Sequence, residues 1–277
     1  MRFSKAALQF LEDLSVRPIS SRHTIKNYDH HLRRFWSFTG DIDTSEITPV
    51  LIKKYAKFLS EKNLKKTTQN YHLIALRALL HYLEENHIPA LSAESVTLLS
   101  STPREIKSFE ADKLRLVIEA PDTTSKEGLR DRCILEILLC TGLRVTALVQ
   151  LNRDDVDLTQ QKIADNPLSN SACRWLETYQ LSRKDTFAPL FIRFQGVVNV
   201  RDAGESMRLT ERSVERVVKK YAKELNLPNL TPESFRQYYG LELVEHGADI
   251  KTVAEKLGHQ HTVTTKAFLK AAEINQS

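Results

Sequence analysis

Residues 231–268 read TPESFRQYYGLELVEHGADIKTVAEKLGHQHTVTTKAF and carry most of the information about the fold. The residues that start and stop helices in this stretch predict two helices and the beginning of a third. Pro232 suits a helix start, Gly247 suits a helix end, and Asp249 suits the cap of the next helix. Arg236 lies in a segment that is apolar on most sides. A buried charge needs a partner, so Arg236 becomes the first candidate functional residue.

The chain has 277 residues, which is long for one domain and sufficient for two domains with separate cores. No apolar run approaches the roughly 20 residues that span a bilayer, and the first residues lack the apolar core of a signal peptide. Cys133, Cys140 and Cys173 have no zinc-type spacing and are interpreted as small buried thiols. We therefore expect a cytoplasmic protein without a membrane partner or a bound metal.

The first 88 residues predict four helices, at about 3–13, 20–38, 47–62 and 67–85. The fourth is expected to bury an apolar stripe of Tyr71, Ile74, Ala75, Ala78, Tyr82 and Leu83. Basic and polar residues on the second helix and around the start of the fourth are candidate DNA contacts: Lys26, Lys65, Lys66, Thr67, Asn70 and Arg77. Backbone N–H groups at a helix start favour phosphate. The alternative is a solvated cap with extended lysines.

Residues 89–108 contain two prolines and five serines with little periodicity, so we expect a linker there. The predicted domains are therefore 1–88 and 109–277. The second domain opens with helices at about 109–120 and 126–141.

A helix predicted at about 209–226 has two distinct faces. Its basic residues, Arg212, Arg216, Lys219 and Lys223, fall in one narrow stripe, and its apolar residues, Val214, Val218, Tyr221 and Leu225, fall opposite. A stripe of one charge sign suits contact with phosphates. Solvated surface lysines are the alternative. The net charge of +5 favours nucleic acid only weakly.

The pattern TP-x-S-F-R, followed by HGADI, LGH and TT-x-x-aromatic, resembles the end of the tyrosine recombinase (phage integrase) family of the Xer type. The segment CTGLRVTALVQLNRDDVDL resembles the first arginine motif of that family, and SSRHTIKNYDHHLRRFWSF resembles its core-binding domain. The resemblance implies a mainly α fold. It implies a four-helix SAM-like domain followed by an α+β catalytic-type domain, with duplex DNA as the partner and no cofactor.

The resemblance also assigns site residues. Arg144, Arg236 and His259 match catalytic positions of the family. Glu233 stands where the family has a histidine, and Phe268 stands where it has the nucleophilic tyrosine. Phenylalanine has no hydroxyl group, so the site is expected to be degenerate.

Two further departures concern the segment after Arg144. The acidic residue usual in the family is Ala147 here, and residues 157–180 are too few for the family's second and third strands, whose hairpin carries a lysine. We expect this hairpin to be deleted or cut to a stub, which leaves a reduced sheet. Lys162 is the only lysine available there, and its sequence context does not support the role.

Three functions remain open. The first is a catalytically inactive DNA-binding protein, associated with the nucleoid, that acts as a clamp or as an accessory or regulatory factor in recombination or replicon maintenance. The second is an active recombinase or integrase with a rearranged site. The third is an interaction subunit that assembles with itself or with an active tyrosine recombinase in a mixed tetramer.

Overall fold

The computed structural model describes residues 1–17, 22–100, 110–199, 201–259 and 265–266. It divides into two compact units, Met1–Arg104 and Glu105–Ser277. The chain is mainly helical, as predicted. No helix in these described ranges is long and apolar enough to cross a membrane.

The first unit contains the four expected helices. They are α1 (Phe3–Val16), α2 (Arg22–Thr39), α3 (Pro49–Glu61) and α4 (Lys66–Glu85). The start of α3 follows from its sequence, because the Thr48 hydroxyl accepts a hydrogen bond from Leu51 N and Pro49 needs no such partner. Fully buried aromatic rings such as Phe3, Phe35 and Tyr55 form the centre of the core.

The predicted buried face of α4 was correct at Ala75 and Leu83 and wrong at Tyr71. Tyr71 is 58% exposed, and the helix instead buries Leu73, Leu76 and Leu80. Leucine side chains have no polar atom that needs solvent, so they are buried first. A tyrosine can remain at the surface, where water solvates its hydroxyl. The outer face of α4 is therefore more aromatic than expected.

Part of the predicted linker packs against the first unit. A short 3₁₀ turn at Ala93–Ser95 buries Ala93, and Val96 is also buried. Asn70 holds the segment, because its amide donates to Leu99 O at 2.8 Å and accepts from Leu99 N at 2.8 Å. Residues 89–99 therefore belong to the first unit.

The second unit contains seven helices among the residues described. They are α5 (Ala111–Glu119), α6 (Lys126–Thr141), α7 (Val145–Gln150), α8 (Asn170–Ser182), α9 (Glu211–Glu224), α10 (Pro232–Glu245) and α11 (Ile250–Lys256). The sequence analysis did not identify α8, whose start is capped by the Ser169 hydroxyl. Helix α6 is buried on most sides and packs against α8 and α10. Its Cys133 is fully buried, and burial raises the pKa of that thiol.

A small antiparallel sheet follows α7. Its strands are β1 (Val156–Asp157), β2 (Lys162–Ile163) and β3 (Asn166–Pro167), in the order β1-β2-β3. Lys162 pairs with both Asp157 and Pro167. The β2–β3 hairpin is therefore present as a stub of two-residue strands and is not deleted.

Two helix ends in this unit matter for the site. Helix α6 ends at Gly142, which has a left-handed backbone with φ of +59°. A Cβ atom there would lie 2.5 Å from Cδ1 of Tyr239, so only glycine fits. Helix α11 begins where the sequence predicts, because the Asp249 carboxylate accepts a hydrogen bond from Thr252 N at 2.7 Å.

Candidate phosphate-binding site

Helix ends in the second unit bring three of the predicted site residues together. Arg236, in α10, donates from Nη1 to Gly142 O at 2.7 Å and from Nη2 to Leu257 O. Gly142 lies two residues before Arg144, and Leu257 lies two residues before His259. The guanidinium of Arg236 therefore fixes the two backbone segments that carry the other two side chains.

Arg144 also contacts the segment that carries His259. It is the residue that precedes α7, and its Nη2 donates to Gly258 O at 3.1 Å. The side chain is exposed, and most of its N–H donors remain available to a ligand. Arg144 therefore joins the start of α7 to the residue next to His259.

His259 is held by its backbone and by its ring. Its N–H donates to Ala254 O at 2.8 Å, and its Nδ1 lies 2.8 Å from Oγ1 of the buried Thr265. Burial lowers the pKa of His259, and the charges of Arg236 and Arg144 lower it further. The imidazole is therefore neutral near pH 7.

The charge of Arg236 is not balanced by a close carboxylate. The residue is only 5% exposed, and burial followed by repulsion from Arg144 lowers its pKa to about 10. It still carries its charge at neutral pH. Its nearest carboxylate within the described chain is Glu233, whose Oε1 lies 4.0 Å from Nε and whose side chain is 62% exposed. A positive site with this imbalance suits an anion.

Two further positions named from the resemblance lie at the surface of the described chain. Ala147 lies exposed on α7, and its methyl group supplies no charge. Lys162 lies exposed at the start of β2, on a hairpin that the sequence analysis discounted. Phe268 is outside the described residues. Across the described ranges, no group of three or more His, Cys, Asp or Glu side chains is placed to hold a metal ion.

The basic stripe of α9 is formed as predicted from helical periodicity. All four of its basic residues are exposed, and Val214 and Val218 on the opposite face are fully buried. The closest polar contact of the stripe is a 3.4 Å approach of Arg216 Nη2 to Ser213 Oγ. In the part of the chain that is described, no carboxylate forms an ion pair with the stripe.

The predicted DNA contacts of the first unit differ in how exposed their side chains are. Lys26, Lys65, Lys66 and Thr67 are exposed, whereas Arg77 is half-buried. The amide group of Asn70 is engaged with Leu99, so its main role is structural.

A histidine pair between α2 and α4 was not predicted from the sequence. Nδ1 of His31 lies 3.2 Å from Nδ1 of His72, and the Tyr55 hydroxyl lies 3.4 Å from the latter. Burial, with smaller contributions from His31 and Arg34, lowers the pKa of His72 to about 4. The repeated histidines of the sequence were the available signal.

Comparisons with known proteins identify the family of this chain. Residues 107–273 match the Phage integrase family, and residues 7–87 match the N-terminal SAM-like domain of phage integrases. The chain belongs to the phage integrase family. The N-terminal match covers all of α2, α3 and α4 and most of α1, and the other covers every helix described in the second unit.

The curated relatives of this integrase-family chain include Xer proteins. Tyrosine recombinase XerC from Herpetosiphon aurantiacus is 30% identical over 94% of this chain and 88% of its own length. Tyrosine recombinase XerD from Listeria innocua is 29% identical over 96% of this chain and 93% of its own length.

Solved structures show the same fold at lower identity. The Tn1549 transposon integrase, in complex with circular intermediate DNA, aligns with a TM-score of 0.71 and 16% identity over 98% of this chain and 99% of that one. A lambda integrase dimer bound to a COC′ core site aligns with a TM-score of 0.68 and 15% identity over 97% and 95%.

Proposed function

We propose that this chain binds duplex DNA without cutting it and acts as a DNA clamp or as an accessory or regulatory factor in recombination or replicon maintenance. The observation that carries the proposal is the buried, unbalanced charge of Arg236 beside Arg144 and His259. Because the protein surrounds this cation with backbone carbonyls, a DNA phosphate supplies the charge that the protein leaves out.

The geometry supports binding of a phosphodiester in its ground state. A guanidinium can hold two phosphate oxygens through parallel N–H groups, and Arg144 presents such a group at the surface. A phosphate between the two arginines would also stabilise a protonated His259, which then donates a further hydrogen bond. None of these contacts requires a bond to break.

The loss of strand cleavage rests on residue chemistry. A phosphotyrosyl intermediate needs a hydroxyl nucleophile, and phenylalanine at 268 offers none. The carboxylate of Glu233 replaces a proton donor with a group that repels phosphate. Losing a single acid or base lowers a rate by about 10²- to 10⁴-fold, whereas losing the nucleophile removes the route.

We also propose that both predicted domains, 1–88 and 109–277, contribute to binding. The exposed candidates of the first domain are Lys26, Lys65, Lys66 and Thr67, and Arg77 is a half-buried candidate. In the second, the stripe on α9 is the candidate. A role on duplex DNA places the protein in the cytoplasm at the nucleoid.

Charge reversal on α9 tests this proposal. Fluorescence anisotropy with a labelled 40-bp duplex, at about 0.15 M salt where distant charges are screened, measures affinity. We expect Arg216→Glu to weaken binding by about tenfold, because it removes a phosphate contact and adds repulsion. The matched control is Arg174→Glu, an exposed residue of α8, which should change affinity by less than about twofold. Equal effects of the two variants would overturn the assignment of the stripe.

The alternative of an active recombinase is favoured by the names of the XerC and XerD relatives. A supercoiled plasmid tests it, since an enzyme that breaks and rejoins one strand releases supercoils. We expect the purified chain to bind the plasmid and leave its linking number unchanged. Relaxation would establish activity and end the proposal of a degenerate site.

The alternative of an interaction subunit is favoured by neighbours that were solved as a dimer and as a tetramer bound to a Holliday junction. It predicts that the chain joins itself or an active tyrosine recombinase in a mixed assembly. Analytical ultracentrifugation with and without a 40-bp duplex tests this. A stable assembly formed by a chain that does not bind duplex DNA would favour the alternative over the proposal.

A further inference from the structure

Residues 194–199 and 201–206 of the second unit form an excursion of the chain that starts from a paired stem. Arg193 N donates to Met207 O at 2.8 Å, and Leu209 N donates to Phe191 O at 3.0 Å. Helix α9 begins at Glu211, two residues after this stem. The excursion is therefore attached next to the first turn of the helix that carries the basic stripe.

The base of the excursion is held in a defined conformation. Gly204 has a φ of +86°, and a Cβ atom there would lie 2.2 Å from the ring of Phe187, so the backbone packs directly against that ring. The Asp202 carboxylate accepts hydrogen bonds from Gly204 N at 3.0 Å and Ser206 N at 2.9 Å. Ordering at the base lowers the entropy lost when the tip binds a partner.

The tip of the excursion is apolar and faces solvent. Val197 is 86% exposed and Val198 is 42% exposed. Arginines lie on both sides of the tip in the chain. Arg193 donates to Ser206 O at 2.6 Å and lies with its guanidinium 3.3 Å from the Cβ position of Gly196, and Arg201 is exposed. In the described chain neither arginine is in an ion pair.

We propose that this tip enters the minor groove of the DNA to which the chain binds, with Val197 and Val198 against the sugars and with Arg193 and Arg201 beside the phosphates. The inference rests on the proposed function. Charge complementarity selects DNA as the occupant, because two uncompensated arginines flank the apolar pair. Apolar side chains accompanied by arginines are the means by which many proteins occupy this narrow groove.

The bases at the floor of the minor groove differ in whether they present an amino group to the tip. A G·C pair presents the N2 amino group of guanine in the minor groove, whereas inosine lacks it and keeps the same major-groove atoms. Valine cannot accept a hydrogen bond, so packing against the amino group leaves that donor unsatisfied. The tip should therefore favour DNA in which inosine replaces guanine.

Two 40-bp duplexes of one sequence, with guanine or inosine at every G position, test this by anisotropy with the full-length chain. We expect wild type to bind the inosine duplex about fivefold more tightly. The double variant V197S/V198S should lose most of this preference and bind the inosine duplex about fivefold more weakly than wild type. The matched control is Leu181→Ser, a residue of α8 that is 80% exposed, which should keep the preference.

The outcomes separate this inference from the proposed function. If wild type binds neither duplex, the proposed function fails. If wild type binds both duplexes equally, or if V197S/V198S keeps the wild-type preference, the tip does not lie in the minor groove and this inference alone is overturned. Unchanged DNA binding by the double variant would indicate a protein partner for the tip, which also overturns the inference.

Discussion

The second unit buries arginines in two ways that have different consequences. Arg130 is 9% exposed, and its Nη2 donates to Asp131 Oδ1 at 2.6 Å while Nη1 donates to Ile192 O at 3.0 Å. Arg236 is equally buried but bonds only to backbone carbonyls at close range. The first arginine brings its counter-charge with it, whereas the second does not.

This difference separates a structural arginine from a ligand-binding one. Removing a guanidinium from water is compensated only when a counter-charge and further hydrogen bonds surround it. Arg130 has both, and Arg132 repeats the pattern with Glu136 at 2.9 Å. A buried cation whose close partners are only carbonyls is not neutralised by the protein, so its charge can attract an external anion. The predictions below test whether the two classes are as different as their contacts suggest.

The largest effect is expected on stability, when the ion pair between Arg130 and Asp131 is broken. Arg130→Met leaves the carboxylate of Asp131 buried at 4% exposure, with the Tyr221 hydroxyl at 3.0 Å as a neutral donor. We expect this variant to lose about 3–5 kcal/mol of unfolding free energy in urea titrations. Arg115→Met, which breaks an exposed pair with Asp112, is the control and should change stability by less than about 1 kcal/mol. Similar losses in both variants would contradict the comparison.

Arg236, which has no close carboxylate, should matter less for stability than Arg130 and should matter for DNA affinity. Arg236→Met removes a charge without orphaning a carboxylate, but it leaves the carbonyls of Gly142 and Leu257 without their donors. We therefore expect it to lose about 1–3 kcal/mol of unfolding free energy, which is less than the loss in Arg130→Met. Its affinity for a 40-bp duplex should fall by about 10- to 100-fold, because a charge-assisted contact to phosphate is lost. If Arg236→Met unfolds as readily as Arg130→Met, the distinction between the two classes is wrong.

The pH dependence of DNA binding tests how His259 acts beside Arg144 and Arg236. In the free protein, burial and the charges of Arg236 and Arg144 hold the pKa of His259 below its usual value, and a bound phosphate raises it. Binding therefore takes up a proton, and affinity should rise as pH falls from about 7.5 to about 5.5, by at most about tenfold per pH unit. His259→Gln should flatten this dependence relative to wild type. Identical slopes in the two proteins would show that other histidines cause it.

The smallest effect is expected at Glu233. Its carboxylate lies 4.0 Å from Arg236 Nε and is mostly exposed, so water screens much of its influence. Glu233→Gln keeps the shape and removes the charge, and we expect about threefold tighter duplex binding in anisotropy titrations. An unchanged or weaker affinity would mean that Glu233 does not compete with phosphate for the guanidinium.

Local signals in the sequence were sufficient for most of the fold. Gly142 and Asp249 mark helix ends through chemistry that needs no distant partner, and both helix boundaries were predicted correctly. Tyr71 of α4 was wrongly predicted to be buried, because its ring is apolar although its hydroxyl lets it remain at the surface. Helix α8 was missed because its segment was judged only by the hairpin expected there.

The site was predictable in its members but not in its contacts. The apolar neighbours of Arg236 indicated burial and the need for a partner. The partners are the carbonyls of Gly142 and Leu257, and every residue carries a carbonyl, so side-chain identity gave no signal. The role of Asn70 was hidden for the same reason, since it binds the backbone of Leu99. The function assigned to each site residue stays a prediction.

The most direct test of binding without cleavage is covalent trapping on a nicked duplex. An enzyme that attacks next to a nick loses the short fragment and remains attached to DNA, which a denaturing gel detects. With the duplex at least nine-tenths bound, we expect no adduct from the wild-type chain. A protein–DNA adduct formed by wild type under those conditions would contradict the account.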